Sequence, residues 1–278
     1  MEIVSGYAQV DGTRLYYECA GEGEPVVLLH TGNGNTTIWD GQFEDLASDH
    51  RVIRYDMRGF GRSSYPASSY LYARDLAGLL SHLGVDRAHI VGPSLGGRVA
   101  VEFCLLYPSM TASLLLVAPV IREHNWSEDV ISARIAEEEA FGAGDFEAAT
   151  QAMMRNWVLC PGRHPEDLDQ SMLERIRAAQ HASYLVRLRT RKEAGAEPDE
   201  EELDSPAGSR LSSIAAPTMV LIGGADGPDS TAIGERLASE IHGAQKQVIE
   251  GVGHMIAMER PEDFLRIARD FLRAAQRR

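Results

Sequence analysis

Cysteine is scarce in this chain. Cys19, Cys104 and Cys160 are the three among 278 residues, an odd number set far apart. That spacing fits neither a disulfide framework nor a zinc site. Reduced, buried thiols of a cytoplasmic protein are the expected reading. Positive charge is also short: 27 Lys and Arg stand against 41 Asp and Glu, a net charge of −14. Such a chain repels nucleic-acid phosphates, and no basic stripe runs against that balance. The acidity itself serves solubility and points to no substrate. Long apolar runs are missing, so no segment is expected to span a bilayer. Met1 to Gln9 carry no basic stretch followed by an apolar run, so no secretory leader is expected. What is present is 44% hydrophobic and 24% charged residues, enough to bury a sizeable core in one large domain.

The apolar residues fall into two alternating patterns. The chain opens as a hairpin, with Asp11-Gly12 turning between Tyr7–Val10 and Thr13–Glu18. After a turn at Gly21–Pro25, Val26–Leu29 is apolar throughout, as in a strand covered on both faces. Arg51–Tyr55, Ala88–Val91, Ser113–Val117, Thr218–Ile222 and Gln247–Ile249 repeat the pattern. Between them, Tyr70–Leu83, Leu95–Leu106 and Ile233–Ile241 have helical spacing. A last helix starts at Pro261, with Phe264, Ile267, Ala268 and Phe271 on one face. This alternation predicts an α/β fold: a mostly parallel sheet with helices on both faces.

One stretch departs from it. Arg122–Leu188 shows only helical periodicity, with helices expected over Asp129–Phe141, Phe146–Val158 and Asp169–Arg189. Either it forms a helical lid over the C-terminal edge of the sheet, or it adds ordinary surface helices. Lys192–Ser209, with Glu200-Glu201-Glu202, repels itself and is expected to be a solvated connector. The organisation is therefore a core over 1–121, a lid and acidic connector over 122–210, and a second core part over 211–278.

Gly92-Pro93-Ser94-Leu95-Gly96-Gly97 joins the strand Ala88–Val91 to a helix. A chance Gly-x-Ser-x-Gly is expected in roughly one chain of this length in ten. The placement between a strand and a helix is what gives it meaning. A sharp turn there lifts the Ser94 hydroxyl clear of the sheet, and Gly92 and Gly96 allow close backbone approach. A serine nucleophile needs a histidine base held by a carboxylate, in the chain order Ser, acid, His. Asp226 in Gly223-Gly224-Ala225-Asp226 and His254 in Gly251-Val252-Gly253-His254 follow the last two strands and fill that order. Asp229 is the alternative acid. His30-Thr31-Gly32-Asn33-Gly34 is placed to supply a backbone N–H to a substrate oxygen, from Gly32 or from Thr31 or Asn33. The Leu95 N–H is the second expected donor. His30 is read as a brace for its loop.

With these motifs in place, the sequence resembles the α/β-hydrolase superfamily, in its lid-bearing esterase, lactonase and carbon–carbon hydrolase branch. Val26–Gly32, Tyr55–Ser63, the Ser94 turn, Gly223–Asp226 and Gly253-His254 carry the resemblance. It implies an eight-stranded sheet, a lid between strands six and seven, and a bracing role for Tyr55–Ser63. Pro93 departs from the side chains the family usually places before the nucleophile. Ser94 argues against the epoxide hydrolases and dehalogenases of this fold, which use aspartate. Met255 argues against its hydroxynitrile lyases, which typically have lysine there. Enol-lactonases look similar around Arg54–Gly59 and Ser94–Gly97.

The expected activity is hydrolysis of a small ester, lactone or activated carbonyl compound through an acyl-enzyme on Ser94. Metal and organic cofactors are not required. Trp126, Trp157 and Tyr184 are the candidate pocket aromatics. The expected partner is a small-molecule substrate, with a homodimer compatible and neither nucleic acid nor membrane called for. Carbon–carbon bond hydrolysis of a diketone-like substrate uses the same residues and stays open. So do a cyclase or thioesterase role and a non-enzymatic ligand receptor that keeps the fold.

Overall fold

The computed structural model describes residues 2–64, 68–194 and 198–277. Eight strands form one sheet: β1 (Ile3–Val10), β2 (Thr13–Ala20), β3 (Pro25–Leu28), β4 (Arg51–Tyr55), β5 (Ala88–Pro93), β6 (Thr111–Val117), β7 (Thr218–Gly223) and β8 (Gln245–Ile249). Their order is β1-β2-β4-β3-β5-β6-β7-β8. β1 and β2 pair antiparallel through a turn in which Asp11 and Gly12 both take positive φ, 46° and 75°. β2 also runs antiparallel to β4, and the pairs from β4 to β8 are parallel.

Nine helices lie among the described residues: α1 (Phe43–Leu46), α2 (Tyr72–His82), α3 (Leu95–Leu106), α4 (Glu128–Gly142), α5 (Phe146–Met154), α6 (Gln170–Ala194), α7 (Pro228–Glu240), α8 (Ile256–Glu259) and α9 (Pro261–Gln276). β3 shows why the central strands are apolar at every position. Val27 joins the core shared with α2, α3 and α7, while Val26 and Leu28 join the one shared with α1 and α9. Each face therefore buries alternate residues of one strand. α9 places Phe264, Ile267, Ala268 and Phe271 against the sheet, on the face predicted from their spacing.

Three helices, α4 to α6, stand between β6 and β7 in sequence and build their own small cores. Met153, Met154, Val158, Met172, Leu173 and Ile176 pack together with Met255 of the main body. Phe141, Ala149 and Tyr184 form the other. A π-helical turn at Arg155–Leu159 extends α5.

The connector after α6 is largely exposed, as its charge run suggests, but it is pinned at Glu200 and Glu201; residues 195–197 lie outside the described residues. Glu201 N–H donates to Tyr70 O at 2.7 Å, and Arg74 pairs with the Glu201 carboxylate at 2.6 Å. Glu200 pairs with Arg98 at 2.9 Å and also with Arg122. Arg98 is buried in α3, and a buried guanidinium requires a counter-charge. That demand overrides the self-repulsion of the three glutamates.

Candidate active site

β5 ends at Pro93, and the chain turns at once into α3. Ser94 sits at that corner with φ 50° and ψ −116°, a costly conformation for a residue with a Cβ. The surroundings hold it there. Ser94 N–H donates to Val117 O at 3.0 Å, and its carbonyl accepts from Arg98 N–H at 3.1 Å. A Cβ on Gly92 would lie 2.3 Å from Gly96 O, and one on Gly96 would lie 2.9 Å from His30 O. The glycines are thus there for backbone approach.

Asp226 follows β7 and His254 follows β8. His254 Nδ1 donates to Asp226 Oδ2 at 2.7 Å, with both side chains almost fully buried, 2% and 3% exposed. The other carboxylate oxygen accepts from Gly227 N–H at 2.7 Å and from the Cys160 thiol at 3.6 Å. With its proton on Nδ1, the imidazole keeps a lone pair on Nε2. That atom is buried and has no hydrogen-bond partner among the described residues. It makes no hydrogen bond to Ser94, yet both residues line one cavity of about 490 Å³. Hydrogen bonds of this kind are often open before substrate binds.

Asp229, the alternative acid, is engaged elsewhere. Its carboxylate accepts from Ser127 Oγ at 2.6 Å and faces His124 Nε2 at 2.6 Å, tying α7 to the start of α4. Those donors hold its carboxyl below the ordinary range against the opposing effect of burial.

Gly32 and Leu95 both line the cavity, as does Asn33. A Cβ on Gly32 would make ordinary contact with Leu95 Cβ at 3.7 Å, so the two residues lie side by side. Behind them the loop is braced. His30 faces Thr31 O through Nδ1 at 2.7 Å and accepts the Met57 N–H on Nε2 at 2.9 Å. Burial pushes its pKa down, which keeps the ring neutral for both bonds. Asp56 accepts from Thr36 N–H at 2.7 Å and from Arg62 N–H at 2.8 Å, so Tyr55–Ser63 does buttress this loop. Pro93 faces away from the main cavity, into a small recess behind His254.

The inserted helices supply the far wall. Trp126 and Trp157 line the cavity and meet edge to face at 5.6 Å, and the Trp157 ring lies 5.3 Å from that of His254. Tyr184 corrects the expectation for the third aromatic. It is wholly buried among Phe141 and Ala149, and its hydroxyl donates to Glu137 at 2.7 Å. Glu137, rather than Tyr184, reaches the cavity. Sequence reasoning also missed the charged wall of Arg98, Arg122 and Glu200. A signal was there: Arg98 interrupts an apolar run, with Glu102 four residues on. Among the described residues, no three His, Cys, Asp or Glu side chains are grouped to hold a metal ion.

Known proteins carry the same architecture. The profile of the alpha/beta hydrolase fold matches residues 24–261. A 2-hydroxy-6-oxononadienedioate/2-hydroxy-6-oxononatrienedioate hydrolase of Paraburkholderia xenovorans (strain LB400) is 30% identical over 93% of this chain and 90% of its own. Among solved structures, the esterase RhEst1 from Rhodococcus sp. ECU1013 superposes with a TM-score of 0.78 at 27% identity, covering 99% of this chain and 100% of its own. Est816, described as an N-acyl homoserine lactone degrading enzyme, gives 0.74 at 28% identity, over 96% and 100%. With the profile spanning most of the sheet and relatives matched nearly end to end, the chain belongs to the α/β-hydrolase family.

Proposed function

We propose that this chain is a serine hydrolase of small carboxylic esters or lactones, acting through an acyl-enzyme on Ser94. His254 takes the Ser94 proton on Nε2 as the oxygen attacks the carbonyl carbon. Asp226 fixes the imidazole tautomer and stabilises the imidazolium. The N–H groups of Gly32 and Leu95 hold the developing oxyanion, a contribution of about 3 kcal/mol per donor. His254 returns the proton to the leaving oxygen, then activates the water that releases the acid. The observation that carries this reading is a buried His–Asp pair whose Nε2 has no partner among the described residues, on a histidine that lines the same cavity as Ser94.

Carbon–carbon bond hydrolysis is the second reading, favoured by the relative named for dienedioate substrates. The cavity wall speaks for the first. Arg98 and Arg122 are already paired with Glu102 and Glu200, and Glu137 and Glu202 add further acid. Arg134, the remaining lining cation, is exposed. Glu202 is exposed as well, so a substrate with two carboxylates finds no buried cation here that is free of a carboxylate partner, whereas a neutral ester or lactone requires none. A reducing compartment suits the three free thiols, and no described helix is long and apolar enough to cross a membrane.

Labelling by a serine-reactive phosphonate, followed by a panel of neutral esters, lactones and dicarboxylates, tests the reading. Wild type takes up label and Ser94→Ala does not. Equal labelling of both proteins rejects Ser94 as the nucleophile.

A further inference from the structure

The turn that follows the π-helical segment, Cys160 to Arg163, touches both loops that carry Asp226 and His254. Cys160 is buried, and its thiol stands 3.6 Å from Asp226 Oδ1, the oxygen not used by the imidazole. Burial, with the Asp226 charge beside it, pushes this thiol up to about 12, so it remains protonated and able to donate. Three residues on, the Arg163 guanidinium donates to both oxygens of Glu259, at 3.2 and 2.5 Å, with both side chains mostly buried. Glu259 in turn accepts the Gly253 N–H at 3.3 Å. A Cβ on Gly253 would stand 1.9 Å from Arg163 Nη1, so the guanidinium lies against the residue immediately before His254.

We infer that Cys160 and Arg163 are positioning residues for the reaction: Cys160 orients the Asp226 carboxylate, and Arg163, through Glu259 and Gly253, holds the backbone that carries His254. The inference rests on Asp226 and His254 being the acid and the base. Packing alone calls for neither a donor on the spare oxygen of the acid nor a guanidinium on the glycine before the base. The groups that face His254 are Asp226 and Ser230 from the core and, from the insertion, Trp157 against the ring and the Cys160 sulfur against the backbone N–H. Cys160 reaches the ring through Asp226, while Arg163 and Glu259 stand behind Gly253. The thiol draws charge from Asp226. Without it, Oδ2 is a stronger acceptor and the imidazolium is favoured.

The experiment follows p-nitrophenyl acetate hydrolysis across pH, together with melting temperatures. Cys160→Ala is expected to move the acidic limb of kcat/KM upward by about 0.3–0.5 pH unit, and Cys160→Ser to return it. Arg163→Ala is expected to lower kcat about tenfold with KM within about twofold, and Arg163→Lys to recover part of the loss. Gly253→Ala should lower the melting temperature of wild type but add little to Arg163→Ala, because the atom it meets is gone. An unmoved acidic limb in Cys160→Ala together with additive Arg163 and Gly253 effects would overturn the inference. Failure of the parent reading looks different: phosphonate labelling indifferent to Ser94, with the Arg163–Gly253 coupling in melting temperature still present.

Discussion

Replacing Asp226 by Asn tests the centre of the proposed chemistry at almost constant shape. The neighbours decide how the amide must lie. Gly227 N–H, 2.7 Å from Oδ1, demands an acceptor there, and so does the Cys160 thiol. The amide oxygen therefore takes that side and the NH₂ faces His254 Nδ1. Two donors cannot face each other, so the imidazole proton moves to Nε2. The lone pair that should receive the Ser94 proton is then lost. A wrong tautomer of this kind costs on the order of 10³–10⁴ in kcat, about 4–5.5 kcal/mol of barrier. Steady-state hydrolysis of p-nitrophenyl acetate measures the loss. A melting temperature within a few degrees of wild type shows that the fold persists. If Asp226→Asn keeps activity within about tenfold of wild type, Asp226 is not the acid and Gly227 does not set the orientation of the amide.

Three further outcomes follow from the packing. Gly92→Ala places a methyl between backbone atoms that cannot retreat, and should cost about 3 kcal/mol, or roughly 6–12 °C in Tm by calorimetry; an unchanged Tm contradicts the close approach. Glu200→Ala leaves Arg98 and Arg122 with Glu102 as their remaining carboxylate partner, and is expected to lower stability in urea by about 2 kcal/mol, below the full cost of breaking a buried pair because Glu102 remains. Folding holds His30 neutral, with its pKa below the ordinary histidine value. Its contribution is thus complete above about pH 6.5 and is lost as the pH falls below that value. Urea midpoints at pH 7.5 and 5.5 should drop more in wild type than in His30→Asn, and parallel drops would refute this account.

The strands were legible because a parallel strand buried on both faces must be apolar at successive positions, as Val26–Leu28 and Leu114–Val117 are. The loops after β7 and β8 were legible because glycines mark where the chain leaves the sheet. α1 and α8 were not, since four residues give no periodicity to read. Glu200 was misread because its partners, Arg98 and Arg122, lie about a hundred and about eighty residues away, and a charge run inspected locally shows only its own repulsion. Tyr184 was expected at the cavity because helical spacing does not say which face of α6 meets α4 and α5. The contact of Cys160 with Asp226 spans 66 residues and carries no local signal at all.

β6 and β7 are hydrogen-bonded neighbours, although one ends at Val117 and the other begins at Thr218. Everything between them is spliced into a seam that the sheet closes by itself. Strand register does not depend on the helices of the splice, so another helical segment could replace α4 to α6 provided that a carboxylate still reaches Arg98 and the Val120 N–H still reaches the Ser94 carbonyl. Cavity shape can thus change through the helices of the splice while those two contacts keep the nucleophile's corner in place.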